Sequence, residues 1–549
     1  MPVRLAEVAP EAYRYPLLIR HLLHGPLAFA PSQEIVYRDR MRYTYATFAQ
    51  RIGGLARSLS RLGVDSGDTV AVMDWDSHRY LECYFAIPMM GAVLQTVNVR
   101  LSAEQILYTI HHAGAKLLLI HRDFLPLYAS LRERLTSIET VVLLEDHPAA
   151  GSRPEYFAGE YEDLLAGAGT PFEFTDFDEN ALATTFYTTG TTGKPKAVSF
   201  SHRQLVLHTL AVLGALASTA DRQSFRAHDV YMPLTPMFHV HAWGLPYVAT
   251  ALGVKQVYPG RYEPNVILEL RQRERVTYSH CVPTILQMLL DAPAAARSDL
   301  RGWKITIGGS AFPAGLAQRA TDRGLDAFAA YGMSETCPVL TVSRVAAGED
   351  ASPEIHPRSL RKAGIPIPLV ELRVVDGNMR DAPQDGRTCG EIVTRAPWLT
   401  MAYGGDADAS ARLWFGGFLH TQDVGLLSAD GSLEVRDRLK DVIKSGGEWI
   451  CSLQLEDLIS RHPGVAVAAV IAIADETWGE RPLALVVPTP DWRVRLTESH
   501  IKDHLQRLSQ EGVIARYAIP ARVEIVDELE RTSVGKLDKK RIRERYQHA

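Results

Sequence analysis

The 549-residue chain predicts an α/β multidomain protein. The expected parts are a large N-terminal domain of two layered βα subdomains plus a small β-barrel, followed by a small α+β C-terminal domain. Three observations predict this. Strand and helix patterns alternate twice, from Asp68 to Leu144 and from Asp229 to a helix after Pro313, as in largely parallel sheets covered on both faces. From Arg361 to Arg436 the pattern changes to short strands broken by turns such as Asp376-Gly377 and Asp430-Gly431. After the charged run Asp437 to Asp441, a compact α+β segment begins. The expected boundaries are 1–436 for the large domain, with subdomains about 1–180 and 181–340 and a barrel-like part about 341–436. A hinge at 437–441 and a final domain at 442–549 complete the division.

The elements follow in order. Ile35 to Tyr37 and Met41 to Tyr45 read as a hairpin, and Thr44 to Leu62 as a helix. Strands are expected at Thr69 to Met73, Val93 to Val97, Lys116 to Ile120 and Thr140 to Leu144, with helices at His78 to Met90 and Ala103 to His112. Ser102 with Gln105 makes a capping box for the latter helix. Pro154 to Asp178 is polar and acid-rich and reads as a connection. The second series places strands at Asp229 to Met232, Lys255 to Tyr258, Thr277 to Val282 and Lys304 to Gly308, each followed by a helix. The C-terminal segment reads as helix Leu453 to Ser460, strands Val465 to Ala474 and Pro482 to Val487, helix His500 to Leu508 and a basic helix.

Composition excludes several classes. A net charge of −5 gives no bulk-charge case for nucleic acid or an anionic membrane. The five cysteines form no C-x-x-C pair, which argues against a disulfide framework or a zinc site. Met1 to Pro10 lacks the apolar run of a secretory signal. The most apolar window, Leu205 to Ala217, is too short to span a bilayer and carries His208. A soluble cytoplasmic protein is expected.

The most informative stretch is Tyr187 to Ser201, Tyr-Thr-Thr-Gly-Thr-Thr-Gly-Lys-Pro-Lys-Ala-Val-Ser-Phe-Ser. The strand Leu182 to Tyr187 leads into it, and Ser201 with Gln204 is a capping box opening the helix Leu205 to Leu216. Within it, Thr188, Thr189, Gly190, Thr191, Thr192, Gly193, Lys194 and Lys196 combine hydroxyls, glycine amides and ammonium groups. Glycines let N–H groups converge on an anion, hydroxyls donate to phosphate or ligate a divalent cation, and lysines neutralise a polyphosphate. The spacing is not that of a Walker A loop, because Pro195 follows Lys194.

This stretch resembles the phosphate loop of the adenylate-forming superfamily, which includes acyl-CoA synthetases, firefly luciferase and peptide-synthetase adenylation domains. Five further motifs agree, in the family's order. Gly308, Gly309, Ser310 and Ala311 follow a strand where a planar ring can approach the backbone. In Tyr331-Gly332-Met333-Ser334-Glu335-Thr336 the resemblance assigns an adenine contact to Tyr331, with Gly332 and Ser334 beside it, and magnesium to Glu335, shared with Thr188. Thr421-Gln422-Asp423 matches the family's Thr-Gly-Asp, so Asp423 would hold the ribose. Gln422 replaces a glycine, and a position needing positive φ tolerates Gln poorly. Arg438 would also hold the ribose, Lys440 would be the hinge, and Lys444, Ser445, Gly446, Gly447, Glu448 and Trp449 would face coenzyme A. Thr532 to Asp538 resembles the family's C-terminal lysine loop, making Lys536 the catalytic lysine, although Glu530 stands where proline is common. Lys539, Lys540, Arg541, Arg543 and Arg545 read as a solvated helix face, with some available to CoA phosphates.

The resemblance implies a two-step ligase using Mg²⁺ and ATP, with a mobile C-terminal lid. A carboxylate attacks the α-phosphorus, and CoA then takes the acyl group from the adenylate. Met237 to Trp243 precedes the helix expected to wall the acyl pocket, formed by His239, Val240, Trp243, Gly308 and Gly332. Amino-acid activators carry an aspartate about where His239 stands, and its absence disfavours a substrate ammonium. His239 resembles the histidine placed by the carboxylate in fatty and aryl acid activators, and Trp243 a gating tryptophan of some long-chain enzymes. A medium- or long-chain fatty acid is the first expectation, and an aryl or alicyclic acid the second. A separate carrier protein as acceptor and a catalytically inactive nucleotide-binding regulator are the other classes. Related fatty acyl-CoA synthetases are often dimers, so a homodimer is an open expectation.

Overall fold

The computed structural model describes residues 3–147, 156–188, 194–219, 221–344, 359–446, 448–531 and 537–546. Two large sheets form the frame. The first has, in order, Tyr403–Gly404, Lys196–Ser201, Leu182–Thr188, Val93–Thr96, Thr69–Met73, Ala115–His121, Thr140–Leu144 and Gly159–Glu160. Its middle strands are parallel and enclosed on both faces, which is why Thr69–Met73 is buried along its whole length and reads as an unbroken apolar run. Its Leu182–Thr188 end is antiparallel, a hairpin whose tip is the threonine-rich loop.

The second sheet runs Ile365–Pro366, Val339–Val342, Asp326–Gly332, Lys304–Ile307, Tyr278–Cys281, Val230–Pro233, Lys255–Tyr258, Glu34–Tyr37 and Met41–Thr44. The chain does not change sheets where its two βα series meet. The N-terminal hairpin joins the second sheet through Glu34–Tyr37 beside Lys255–Tyr258, while Leu182–Ser201 completes the first. Periodicity reports that a segment is a strand but not which distant edge it joins.

Helix starts follow their sequence signals. Ser102 and Ser201 each accept from the N–H three residues on, and Gln105 and Gln204 return the bond, so both capping boxes form. Thr44 caps Tyr45–Arg61 by accepting from Thr47 N. The acid-rich connection before residue 178 is corrected: it contains the strand Gly159–Glu160 and the helix Tyr161–Ala166, capped by Glu160. Its acids serve buried partners. Arg51 binds both Glu162 and Glu82, and the Tyr161 hydroxyl donates to Glu82 at 2.6 Å.

A five-stranded antiparallel sheet follows, formed by Glu371–Val375, Gly390–Arg395, Trp414–Phe415, Phe418–Leu427 and Leu433–Arg438. The C-terminal sheet comprises Ile443–Ser445, Glu448–Ile450, Val465–Asp475, Gly479–Pro488 and Arg522–Ile525, with its own apolar core around Leu455, Val470, Val486 and Leu505. Asp457, on its helix Ser452–Ser460, accepts from the Ala314 N–H at 3.2 Å and from Arg361, tying this sheet's domain to the large one. The solvated reading of the last helix, Lys539–Tyr546, is corrected at two positions. Lys539 is buried and bonded to Glu456 at 2.7 Å and Ser452 at 2.6 Å, and Arg543 binds Asp441. Among the described residues no helix is long and apolar enough to cross a membrane.

Candidate active site

The two arms of the Leu182–Thr188 and Lys196–Ser201 hairpin place Thr188 directly opposite Lys196. Thr189, Gly190, Thr191, Thr192 and Gly193, the tip between them, lie outside the described residues. Lys194 sits 5.0 Å from the Tyr108 ring centre, and Lys196 sits 4.6 Å from the Tyr403 ring. Tyr403 belongs to the two-residue strand paired with Ala197 and Val198, so the hairpin itself fixes that ring.

The Tyr403 hydroxyl donates to Glu335 Oε1 at 2.6 Å, and the Glu335 carbonyl accepts from Thr400 N at 2.9 Å. Burial pushes the Glu335 carboxyl up, against the Tyr403 bond and the positive charges of Arg438 and Lys196. A buried carboxylate whose charge is opposed by desolvation fits a cation partner, and the Thr188 hydroxyl stands at the end of the neighbouring hairpin. Among the described residues no cluster of three or more His, Cys, Asp or Glu could hold a metal. One carboxylate and one hydroxyl suit Mg²⁺ held chiefly by substrate phosphates. Tyr403 went unread in the sequence, where nothing about an isolated tyrosine marks it.

The second cluster meets at Asp423. Tyr331 donates to Asp423 Oδ2 at 2.9 Å, and Arg438 Nε lies 3.3 Å from Oδ1. Strand pairing sets this geometry, because Asp423 and Arg438 are register partners. Gln422 does take the left-handed backbone, with φ of 57°. It is held there by bonds from its N–H to Glu391 and from Leu439 N to its carbonyl. Gly332 permits a close backbone approach, since a Cβ there would lie 1.7 Å from the Pro338 carbonyl oxygen. Ser334 opens the short 3-10 turn Ser334–Thr336, and Ser310 and Ala311 are exposed beyond Gly309.

The side expected to take the acyl group is nearly filled. A cavity of about 20 Å³, room for little more than one water, is lined by Arg100, His239, Trp243, Val282, Ile285 and Gly309, among others. The Trp243 indole lies against Gly308, where a Cβ would come within 3.0 Å of the ring, and 5.1 Å from the His280 ring. Val240, His241, Ala242 and Trp243 have φ of 48°, 52°, 46° and 59°, a left-handed turn. Val240 and Trp243 are both buried. Behind the turn, Asp76 accepts from Met237 N at 2.9 Å and from the Tyr262 hydroxyl at 2.5 Å. Burial pushes the Asp76 carboxyl up to about 7.

Lys440 is exposed in the turn after Leu433–Arg438. Lys444 and Ser445 lie on the strand that follows. Gly446, with φ of 60°, donates its N–H to the Trp478 carbonyl at 2.8 Å and packs under the Trp478 ring. Gly447 lies outside the described residues, and of Glu448 and Trp449 only the backbone strand is described. Lys536 also lies outside them. The base of its loop is pinned by a bridge between Arg531 and Leu537 and by Asp538 N donating to the Glu530 carbonyl.

A doubly sheeted frame with a threonine-rich hairpin, a buried carboxylate beside it and a Tyr–Asp–Arg cluster at a domain junction defines the adenylate-forming class. The chain belongs to the AMP-binding enzyme family: that family's model matches residues 28–404, and the AMP-binding enzyme C-terminal domain matches 454–536. It is 40% identical over 511 residues to a long-chain-fatty-acid–CoA ligase of Thermus thermophilus, covering 92% of this chain and 91% of that one. It is 37% identical over 547 residues to a medium-chain-fatty-acid–CoA ligase of Ectopseudomonas oleovorans, covering 98% and 97%. The fold matches the crystal structure of the anthranilate CoA ligase AuaEII in complex with anthranoyl-AMP, with a TM-score of 0.84, 22% identity and coverage of 97% and 98%.

Proposed function

We propose that this AMP-forming acid–thiol ligase joins a medium- or long-chain fatty acid to coenzyme A through an acyl-adenylate. The observation that carries the reading is the meeting of Tyr331, Asp423 and Arg438 close in the chain to Glu335, which Tyr403 ties to the phosphate hairpin. A ribose diol suits the acceptor oxygens of Asp423, while Thr188, Lys194 and Lys196 suit a triphosphate tail. The cavity joins apolar walls, Trp243, Val282 and Ile285, to Arg100 and His239 and has no carboxylate among its lining residues, which favours a carboxylate head with an apolar tail over a substrate ammonium. The fatty-acid ligases at 37% to 40% identity support the same substrate class.

The substrate carboxylate is already ionised, so the first step needs charge stabilisation rather than a general base. The attacking oxygen forms a bond to the α-phosphorus as the bond to pyrophosphate breaks. Lys536 steadies the charge growing on the α-phosphoryl group, and Lys194, Lys196 and the threonines hold the departing pyrophosphate. Mg²⁺, when bound through Glu335 and Thr188, neutralises phosphate charge. His239 orients the acid beside the α-phosphate. In the second step the CoA thiolate attacks the acyl carbon and AMP leaves, with the 444–449 loop guiding the thiol. Lys536 and that loop share the small domain, so rotation about Lys440 presents them in turn.

The test is release of AMP and pyrophosphate from ATP over a panel of carboxylates, with and without CoA. Acid-dependent AMP that needs CoA, greatest for medium- or long-chain fatty acids, is expected. Pyrophosphate exchange without CoA turnover would move the acceptor to a carrier protein, and no turnover with any acid would point to a regulator. Lys536→Ala should lower adenylation by roughly a hundredfold or more while sparing thioester formation from supplied acyl-AMP. Equal loss of both half-reactions in a folded variant would remove the division of labour.

A further inference from the structure

Arg100 lines the same small cavity as His239, and the fold brings the two there from different sheets. Arg100 stands four residues after the strand Val93–Thr96 of the first sheet. That strand runs parallel to Leu182–Thr188, with Gln95 facing Thr185, so the chain leaves the sheet at the end where the phosphate hairpin turns. The turn that follows is fixed. Buried Asn98 accepts from the Arg100 N–H through its side-chain oxygen at 3.0 Å, and its carbonyl accepts from Leu101 N at 3.2 Å. The facing wall, Met237 to His239, is held by the first sheet as well. The Phe238 carbonyl accepts from the Thr96 hydroxyl at 2.9 Å, and Met237 N donates to Asp76 at 2.9 Å. The guanidinium carbon of Arg100 lies 5.9 Å from the centre of the Phe238 ring, and His239 is the next residue. Arg100 is exposed and His239 half-buried, so Arg100 stands at the rim of the cavity, where solvent and a ligand both reach it.

We propose that Arg100 is the counter-charge of the substrate carboxylate, holding the acid's head group beside His239 until it attacks the α-phosphorus. The assignment rests on the acid-activating reading of the site. Both partners of the first step are anions, and bringing a carboxylate up to a phosphate needs positive charge beside them. Lys194 and Lys196 lie against the Tyr108 and Tyr403 rings, on the triphosphate side. An imidazole supplies a hydrogen bond but, near neutral pH, only part of a charge. Among the described residues lining the cavity, Arg100 alone carries a full charge at neutral pH. Its planar fork of N–H groups matches the two oxygens of a carboxylate. Trp243, Val282 and Ile285 supply apolar wall for the chain behind that head group.

The substrate's charge changes during the reaction, and that sets when Arg100 acts. Before the first step the acid carries a full negative charge at neutral pH. Attack makes one carboxylate oxygen the bridge of a mixed anhydride as the bond from the α-phosphorus to pyrophosphate breaks. The acyl carbonyl that remains is neutral, and the negative charge departs with pyrophosphate. The ion pair with Arg100 ends with the charge, and the carbonyl offers only a weaker neutral acceptor. Arg100 therefore favours the free acid over its adenylate. It serves acid capture and the first half-reaction, and thioester formation does without it. The same reasoning separates a counter-charge from a wall: an alcohol of equal chain length fills the same apolar space and brings no charge.

The experiment uses the full-length enzyme as wild type, Arg100→Gln and Arg100→Lys, with decanoate, decan-1-ol, ATP and supplied decanoyl-AMP. Steady-state kinetics give KM for the acid and for ATP, and the inhibition constant of the alcohol against the acid. In Arg100→Gln, KM for decanoate should rise roughly tenfold or more, the worth of one charge-assisted hydrogen bond. KM for ATP and inhibition by the alcohol should stay within about twofold of the wild type. Thioester formation from decanoyl-AMP should keep its rate, which also shows the variant to be folded. Arg100→Lys should recover part of the loss, because it restores the charge without the fork. An unchanged KM for the acid overturns the proposal. So does equal weakening of acid and alcohol, which makes Arg100 a wall, and so does a rise confined to KM for ATP, which gives the cation to the nucleotide. Loss of both half-reactions alike in both variants overturns it as well. If the wild type activates a different carboxylate and no fatty acid, the fatty-acid reading falls, and Arg100 is judged by the same comparison with that acid and its alcohol. A wild type that activates no acid removes both.

Discussion

Gln422 occupies a backbone conformation that a side chain resists, with φ of 57°. A residue with a Cβ gives up about 1 kcal/mol or more there, which glycine does not. Gln422→Gly should therefore raise stability in urea unfolding by about 1 kcal/mol and leave adenylation intact. A loss of stability would mean that the Gln side chain compensates for the strain. Asp76 carries a pH dependence. Burial raises its carboxyl from 3.8 to about 7, so between those values the folded chain holds a proton that the unfolded chain has lost. Its contribution to stability is full at low pH and declines as pH rises through this window, flattening above about 7. The loss is on the order of a few kcal/mol. Asp76→Asn removes a titrating group and should flatten stability between pH 4 and 7, measured by urea unfolding at fixed ionic strength; an unchanged slope would assign it elsewhere.

The turn Val240–Trp243 is the most strained short element described, four consecutive left-handed residues without a glycine. β-Branched Val240 is the least suited to it. Surrounding packing holds it, since all four are buried and Trp243 is lodged against Gly308. Ala242→Gly should stabilise the fold by about 1 kcal/mol while loosening Trp243, so acids of different length should be discriminated less sharply in kcat/KM. Unchanged selectivity would mean that the turn does not set the indole. The sequence carries no trace of this turn, because no Gly, Asn or Asp stands in it. Elements whose own residues decide their conformation were legible: Thr69–Met73 by its continuous apolar run, and the helices after Ser102 and Ser201 by their capping boxes. What escaped depends on distant partners. Tyr161–Ala166 looks like a polar linker until Arg51 and Glu82 are beside it, and Lys539 looks solvated until Glu456 is. At the candidate site, Asp423, Tyr331 and Glu335 were legible through motif resemblance, whereas Tyr403 joins them only through a two-residue strand.

For the whole molecule, Asp457 is one polar contact between the small domain and the large one, sharing its carboxylate between the Ala314 N–H and Arg361. Asp457→Ala should speed hydrogen exchange at Ala314 by roughly tenfold or more, the worth of one charge-assisted hydrogen bond. Exchange that stays slow would show the contact to be dispensable in solution. The interleaving of the two sheets reaches further. During synthesis, Glu34–Tyr37 leaves the ribosome long before Lys255–Tyr258, the neighbour it needs, and Lys196–Ser201 waits for Tyr403–Gly404. Neither sheet can close over a finished subdomain while its successor is still being made. A nascent chain of this kind holds sticky strand edges open through most of translation, a burden that falls on chaperones. Cutting the gene near codon 180 would strand a member of each sheet on the wrong fragment, so the two halves should recover a native core only when expressed together.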